Sequence, residues 1–122
     1  MKTNTIEIPF KLPTLNEYIN AERSNKFKAA SLKRSEQFNI FWEIKEYLEL
    51  NPNSLYDISM KIETKDNRKD HDNLMFSLKF ILDALVKYKY LSGDGRKNIR
   101  HIKSEIYTTG RDFYTVEFIE VL

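Results

Sequence analysis

Two patterns of hydrophobic and polar positions recur along the chain, one typical of strands and the other of helices. Ile58, Met60 and Ile62 stand at every second position, which places them on one side of an extended segment. Ile40 and Ile44 belong to a run with three- and four-residue spacing, which is the spacing of one helix face. The predicted elements are strands over residues 5–10, 55–64, 98–108 and 113–122, helices over residues 29–50 and 72–88, and a short helical turn over residues 15–21.

The order of the main elements predicts a single mixed α/β domain of the α+β kind. Strand, helix, strand, helix, strand, strand is the order expected when two main helices pack on one small sheet. Residues 109–112, Thr-Gly-Arg-Asp, separate the last two strands and have the composition of a hairpin turn. Since 122 residues suit one domain and leave no room for two, we expect one domain over residues 1–122 with a mixed four-stranded sheet.

Composition excludes several classes of protein. The chain has no cysteine, which rules out a disulfide framework, thiolate metal sites and cysteine catalysis. No stretch approaches the roughly 20 apolar residues that a transmembrane helix needs. The first nine residues lack the apolar stretch of a signal peptide. We therefore expect a cytoplasmic protein without a membrane partner.

The basic residues are concentrated in two clusters, although the net charge is only +2. Residues 23–34 contain no acid, and residues 87–103 contain only one, Asp94. Such clusters can contact the phosphates of a nucleic acid, and the alternative is that they are ordinary solvated surface charges. With Lys69, which lies beside an acidic motif, the predicted DNA contacts are Arg23, Lys26, Lys28, Lys33, Arg34, Lys69, Arg96, Lys97 and Arg100.

The acidic motif is the most informative part of the sequence, with Asp70 and Asp72 on either side of His71. Residues at positions i and i+2 of an extended segment project to the same side. Two carboxylates arranged in this way suit a hard divalent cation such as Mg²⁺, which prefers oxygen ligands. The alternative is that Asp72 caps the helix that follows, because aspartate is a preferred N-cap residue. The two interpretations are compatible.

Further polar residues follow the motif. On the predicted helix, Asp72, Lys79 and Asp83 form one stripe opposite a stripe of leucines. A lysine there can neutralise the charge that builds up on a phosphate, whereas the plainer interpretation is the solvated face of an amphipathic helix. Asp94 stands between two glycines, Gly93 and Gly95, where the chain can form a turn or bring its backbone close to a ligand.

These residues occur in an order that resembles the RusA-like family of Holliday junction resolvases, in particular its phage-type members. In that family an Asp-x-Asp-Asn motif precedes a lysine, an Asp-Ala-Leu and a paired Asp-Asp. Leu15-Asn16 and the basic residues 23–34 are also similar to features of the family. The matching elements are, in order, Asp70-x-Asp72-Asn73-Leu74, Lys79, Leu82-Asp83-Ala84-Leu85, Gly93-Asp94 and Lys97-x-Ile99.

The resemblance implies a homodimeric, Mg²⁺-dependent endodeoxyribonuclease that resolves Holliday junctions by paired nicks in DNA recombination and repair. It implies that Asp70, Asp72 and Asp94 bind one or two Mg²⁺ ions, and whether Mn²⁺ replaces Mg²⁺ is left open by the sequence. Lys79 would be the catalytic lysine and would complete the catalytic set. The expected partners are four-way DNA junctions and a second copy of the chain, with no small-molecule cofactor.

Two departures from the family pattern keep alternatives open. Gly93 stands where the family has the first aspartate of the Asp-Asp pair, and the spacing from Asp72 to Lys79 is about one helical turn longer than usual. One alternative is a catalytically inactive protein that binds branched DNA on the same fold. The other is a small protein-interaction domain in which Asp72 is only a helix cap.

Overall fold

Four strands form one mixed sheet in the computed structural model, which describes residues 2–122. The strands lie in the order β1-β4-β2-β3. Strand β2 runs parallel to β3 and antiparallel to β4, which is also antiparallel to β1. The elements are β1 (Thr5–Ile8), α1 (Leu15–Ser24), α2 (Lys26–Ile44), β2 (Tyr56–Thr64), α3 (His71–Met75), α4 (Ser77–Lys87), β3 (Ile99–Thr108) and β4 (Phe113–Glu120).

The alternating residues of the central strands form the floor of one hydrophobic core. Ile58 and Ile62 of β2 and Val116 of β4 are buried. They belong to the same cluster as Ile40 of α2 and Leu85 of α4. The predicted α+β class, with a mixed four-stranded sheet and two longer helices, is therefore confirmed.

The connection between the last two strands differs from the predicted hairpin. Strands β3 and β4 lie on opposite sides of β2, so residues 109–112 cross over the carboxyl end of β2. The N–H groups of Thr109 and Gly110 both donate to the carbonyl oxygen of Thr64, at 3.0 and 3.2 Å. Gly110 has φ of +89°, a conformation that glycine adopts without steric cost. The prediction of a hairpin is wrong because composition identifies a turn but not the strand that its ends flank.

Both long helices differ in extent from their predictions. Helix α2 begins at Lys26, where the Asn25 side chain accepts a hydrogen bond of 2.7 Å from the N–H of Phe27. It ends at Ile44, six residues early. The chain then turns so that the carbonyl oxygen of Tyr47 accepts a hydrogen bond of 2.7 Å from the N–H of Thr3. The continuous helix predicted over residues 72–88 is divided into α3 and α4.

An ion pair between the exposed Arg111 and the buried Glu63 joins the crossover loop to the sheet. Nε and Nη2 of Arg111 donate to the two carboxylate oxygens of Glu63, both at 3.1 Å. The guanidinium carbon lies 4.3 Å from the centre of the Phe113 ring. The hydrogen bonds from Arg111 hold the pKa of Glu63 below its ordinary value. The loop that follows β3 is thus held at the carboxyl end of β2.

This ion pair predicts an acid-sensitive part of the stability. Because the pKa of Glu63 is lower in the folded chain, its contribution is present above the ordinary pKa of 4.5 and is lost as the pH falls through the folded value. We expect Glu63→Gln to lower the melting temperature near neutral pH, and the difference from wild type to shrink as the pH falls below 4.5 and through the folded pKa of Glu63. Thermal denaturation followed by circular dichroism measures it. Glu117→Gln, an exposed change on β4, is the matched control, and a difference that stays constant with pH would contradict the prediction.

Candidate active site

Asp70 and Asp72 lie where the chain leaves the carboxyl end of β2 and enters α3. Asp70 occupies the N-cap position, with extended backbone angles of φ −72° and ψ 159°. Its side chain accepts no capping hydrogen bond, and Asp72 stands in the first turn instead of at the cap. The alternative interpretation, in which Asp72 is the N-cap of the helix, is therefore wrong, because Asp70 occupies that position.

Both carboxylates are available to a ligand. Asp70 and Asp72 are exposed, and neither has a hydrogen-bond or ion-pair partner within the described part of the chain, residues 2–122. They line an open cleft of about 540 Å³. Thr64 of β2 and Thr108 of β3 form its sheet side, so the cleft sits at the shared carboxyl end of the two parallel strands.

Helix α1 is joined to this segment by a hydrogen bond that the sequence analysis did not predict. The N–H of Asn16, in the first turn of α1, donates to Oδ1 of Asn73 at 2.9 Å. The start of α1, with its partial positive charge, therefore lies beside the acidic segment. A capping box formed by Thr14 and Glu17 sets where α1 begins. That Thr-x-x-Glu spacing is visible in the sequence, but the contact with Asn73 spans 57 residues and has no local signal.

Lys69 also lines the cleft, next to Asp70. Its Nζ is 3.7 Å from Oε1 of Glu17, and the Nζ of Lys11 is 3.2 Å from the same oxygen. Partial burial, and after it the neighbouring Lys11, lowers the pKa of Lys69. Two lysines therefore share one glutamate at the edge of the cleft, which leaves positive charge available there for a phosphate.

Lys79 lies in a separate crevice and contacts Asp83. Its Nζ is 3.4 Å from Oδ2 of Asp83, and the Nζ of Lys33, on α2, is 3.2 Å from the same oxygen. The rings of Tyr18 and Phe80 form part of the wall. Lys79 is not among the residues that line the acidic cleft. The predicted stripe therefore brings Lys79 together with Asp83 but does not carry it into the cleft of Asp72.

Asp94 lies at the opposite end of the sheet from Asp70 and Asp72. Its loop is fastened to the segment before β2, because the N–H of Ser92 donates to the carbonyl oxygen of Pro52 at 2.8 Å. The Asn98 side chain donates to the same oxygen at 2.9 Å. The nine residues of β2 span about 26 Å at roughly 3.3 Å per residue.

The fold of the single chain thus brings two of the three predicted metal ligands together and leaves Asp94 apart. Within residues 2–122, no group of three or more histidine, cysteine, aspartate or glutamate side chains is arranged to hold a metal ion. A β-carbon added at Gly93 would come no closer than 3.4 Å to Oδ1 of Asn98. The fold therefore has room for a side chain at the position where this sequence departs from the family.

The predicted DNA contacts fall into two groups. Arg100 is engaged by Asp57, to which its Nε and Nη2 donate at 3.0 and 2.7 Å, and Lys33 is held by Asp83. The others, Lys69 aside, are exposed and form no ion pair among residues 2–122. These exposed residues are Arg23, Lys26, Lys28, Arg34, Arg96 and Lys97.

The basic first turns of α2 lie towards the end of the sheet that carries the cleft. Lys33 contacts Asp83, and eight residues further along α2 the ring of Phe41 stacks on Tyr88 at 4.2 Å. Helices α2 and α4 therefore run in the same direction, away from α3. Since α2 spans about 28 Å, its first turn and the start of α4 share one end of the molecule.

Comparison with models of known protein families gives no match, and comparison with curated proteins gives none either. No helix of residues 2–122 combines the length and apolar character needed to cross a bilayer. The resemblance to the resolvases consequently rests on the order of residues from Asp70 to Ile99, and function has to be argued from the arrangement of the side chains.

Proposed function

We propose that the protein is a divalent-metal-dependent endodeoxyribonuclease that resolves four-way DNA junctions by paired nicks. The observation that carries this proposal is the pair of carboxylates, Asp70 and Asp72, that lie in an open cleft and have no partner among residues 2–122. Lys69 lines the same cleft, and the basic first turns of α2 lie towards the same end of the sheet. The order of residues shared with the RusA-like resolvases supports the same function.

The donor set of the cleft suits Mg²⁺, and Mn²⁺ as its substitute. Carboxylate oxygens are the ligands that Mg²⁺ prefers, and within the described residues those of Asp70 and Asp72 form no hydrogen bond or ion pair. These two residues would hold one or two ions. A bound ion would supply a water of lowered pKa and stabilise the leaving oxygen of a phosphodiester. Lys69 would hold the scissile strand against the cleft through its phosphates.

A second copy of the chain can supply the missing carboxylate. Strand β3 is an edge of the sheet, and Ile102 on it is 47% exposed. If two copies pair their β3 strands antiparallel, the carboxyl end of one β3 lies beside the start of the other. The cleft with Asp70 and Asp72 would then face the partner's Asp94. We propose such a shared site because a two-fold dimer provides two of them, one for each nick.

Lys79 would act on the phosphate from the neighbouring crevice. Its side chain is 56% exposed, whereas that of Asp83 is only 16% exposed. Asp83 would therefore position the ammonium group without enclosing it. The positive ammonium group of Lys79 would then offset part of the negative charge that develops in the transition state on a phosphate bound across the start of α4.

The test is a nicking assay on a synthetic four-way junction, with a linear duplex of the same sequence as control. We expect paired, symmetric nicks with Mg²⁺ or Mn²⁺ and none after chelation. With about six phosphate contacts, junction affinity will fall about 10³-fold between roughly 50 and roughly 200 mM salt. Nicking that persists in a chelator, or an affinity that salt does not change, would contradict the proposal.

The second candidate is a catalytically inactive protein that binds branched DNA. Gly93 in place of an acidic residue favours it, as does the distance between Asp94 and the cleft. Tight, salt-sensitive junction binding without nicks at any Mg²⁺ or Mn²⁺ concentration would establish this second function instead.

A further inference from the structure

A groove with aromatic walls lies along α2, outside the acidic cleft. It has a volume of about 730 Å³, and Phe10, Phe38 and Trp42 are among its lining residues. Phe38 and Trp42 are one helical turn apart and are 50% and 55% exposed. Their rings meet edge to face with 5.9 Å between centroids. Exposed aromatic side chains in a groove are typical of sites where a protein contacts a partner.

Two carboxylates line the same groove. Glu36 and Glu43 both belong to α2, and Glu43 forms no ion pair within residues 2–122. The Oε2 atom of Glu36 is shielded from solvent and has no hydrogen-bond partner within that range. Burial, and after it the charge of Glu17, raises the pKa of Glu36. A buried acceptor without a donor is unfavourable, so a cation that binds the Glu36 carboxylate from the groove would be stabilising.

The charge of the groove decides which kind of ligand fits. Its lining residues include one lysine, Lys11, and two glutamates, Glu36 and Glu43, so acidic groups outnumber basic ones and the groove is negative. DNA phosphates are repelled by such a surface, whereas a cationic side chain is attracted. Trp42 already attracts a cation, since the Nζ of Lys45 lies 4.5 Å from the ring centroid.

We propose that this groove docks a basic segment of a partner protein, with an arginine that stacks against Trp42 and donates to Glu36. Arginine fits better than lysine because its planar guanidinium can stack on an aromatic ring and hydrogen-bond a carboxylate at once. An arginine docked in this way would cover the exposed rings of Phe38 and Trp42 and pair with the Glu36 carboxylate. The docked partner is a protein other than this chain.

Trp42 makes the test direct, because it is the only tryptophan in the chain. The probe is the peptide acetyl-Ala-Arg-Ala-Arg-Ala-amide, titrated while tryptophan emission is followed, with the citrulline peptide as the uncharged counterpart. We expect a saturable change with the arginine peptide alone, and at least about tenfold weaker binding in Glu36→Gln. Glu117→Gln, which removes the same charge from the opposite side of the sheet, should bind as wild type does.

Several results would overturn the proposal. Equal responses to the two peptides, no saturable response up to roughly 10 mM peptide, or unchanged binding in Glu36→Gln would each do so. If circular dichroism shows that Glu36→Gln does not fold, Glu43→Gln provides the same comparison. A dimer that the arginine peptide converts to monomers in light scattering would assign the groove to a second copy instead. No DNA or metal is used, so the outcome is independent of nuclease activity.

Discussion

Replacing Asp72 by asparagine will abolish junction cleavage and leave junction binding intact. Asparagine keeps the size of the side chain but removes the negative charge that a divalent cation requires. Changes to residues that merely support metal ligands reduce activity about 10- to 100-fold, so loss of a ligand should cost at least the larger factor. Single-turnover nicking in Mg²⁺ measures the first quantity, and a gel-shift assay in chelator measures the second.

Asp66→Asn is the matched control for this experiment. Asp66 lines the same cleft, but its carboxylate is 3.5 Å from Arg68 and is already engaged there. We expect its cleavage rate to stay near that of wild type. Since the Asp72 side chain is exposed and has no partner in the described part of the chain, Asp72→Asn should change the free energy of unfolding by no more than about 0.5 kcal/mol. Cleavage that survives in a folded Asp72→Asn protein would exclude the assignment of the carboxylate pair as the catalytic centre.

Mixing Asp72→Asn chains with Asp94→Asn chains will restore nicking, although each variant alone is inactive. In a shared site, one of the two sites of the mixed dimer loses both residues, and the other keeps Asp72 from one chain and Asp94 from its partner. The mixed dimer therefore nicks one strand but does not complete the paired cut. Were all the ligands of a site contributed by one chain, both sites of the mixed dimer would lack a carboxylate and nicking would stay absent.

The control for complementation is a mixture of Asp70→Asn and Asp72→Asn chains. These two residues come from the same chain in either arrangement, so each site of that mixed dimer lacks one ligand and nicking should not return. Full activity of Asp94→Asn alone would remove Asp94 from the site. Failure of the Asp72→Asn and Asp94→Asn mixture, with dimers verified by light scattering, would exclude the shared site.

Much of the fold was predictable because its strands have one buried side. The alternation of Ile58, Met60 and Ile62 identifies β2, because a shift of the strand by one residue would turn these buried side chains from the core to solvent. The neighbours of each strand were not predictable in the same way. An alternating pattern describes one side of one strand, and whether β4 pairs with β3 or with β2 depends on contacts across the whole chain.

The part of the candidate site that lies in one short segment was predictable from the sequence, whereas the position of Asp94 depends on the topology of the sheet. Asp70 and Asp72 are two residues apart, so their proximity follows from the chain itself. Asp94 precedes β3, whereas the other two follow β2, and these strands are parallel. In a parallel pair, the end of one strand and the start of the next lie at opposite ends of the sheet. The direction of β3, which the hydrophobic pattern does not encode, therefore decides the distance.

The break between α3 and α4 could not be predicted from the sequence, and the reason is a different one. Phe76 separates α3 from α4 but keeps helical angles of φ −59° and ψ −24°. No proline or glycine marks the position, because the backbone there is only slightly displaced from a helix. Asp72 and Lys79 are seven residues apart, about two helical turns, but this spacing does not reveal that Lys79 lies outside the cleft and is paired with Asp83.

Asp83 couples the position of α2 to whatever occupies the lysines around it. Lys33 of α2 and Lys79 of α4 both contact its Oδ2 atom, so this carboxylate links the two helices. An anion that draws Lys79 away leaves Asp83 to Lys33 alone, and one that draws Lys33 away removes this contact between α2 and α4. By thermodynamic reciprocity, an anion that has to break one of these lysine contacts with Asp83 binds more weakly, and the loss in binding free energy equals the free energy of the broken contact.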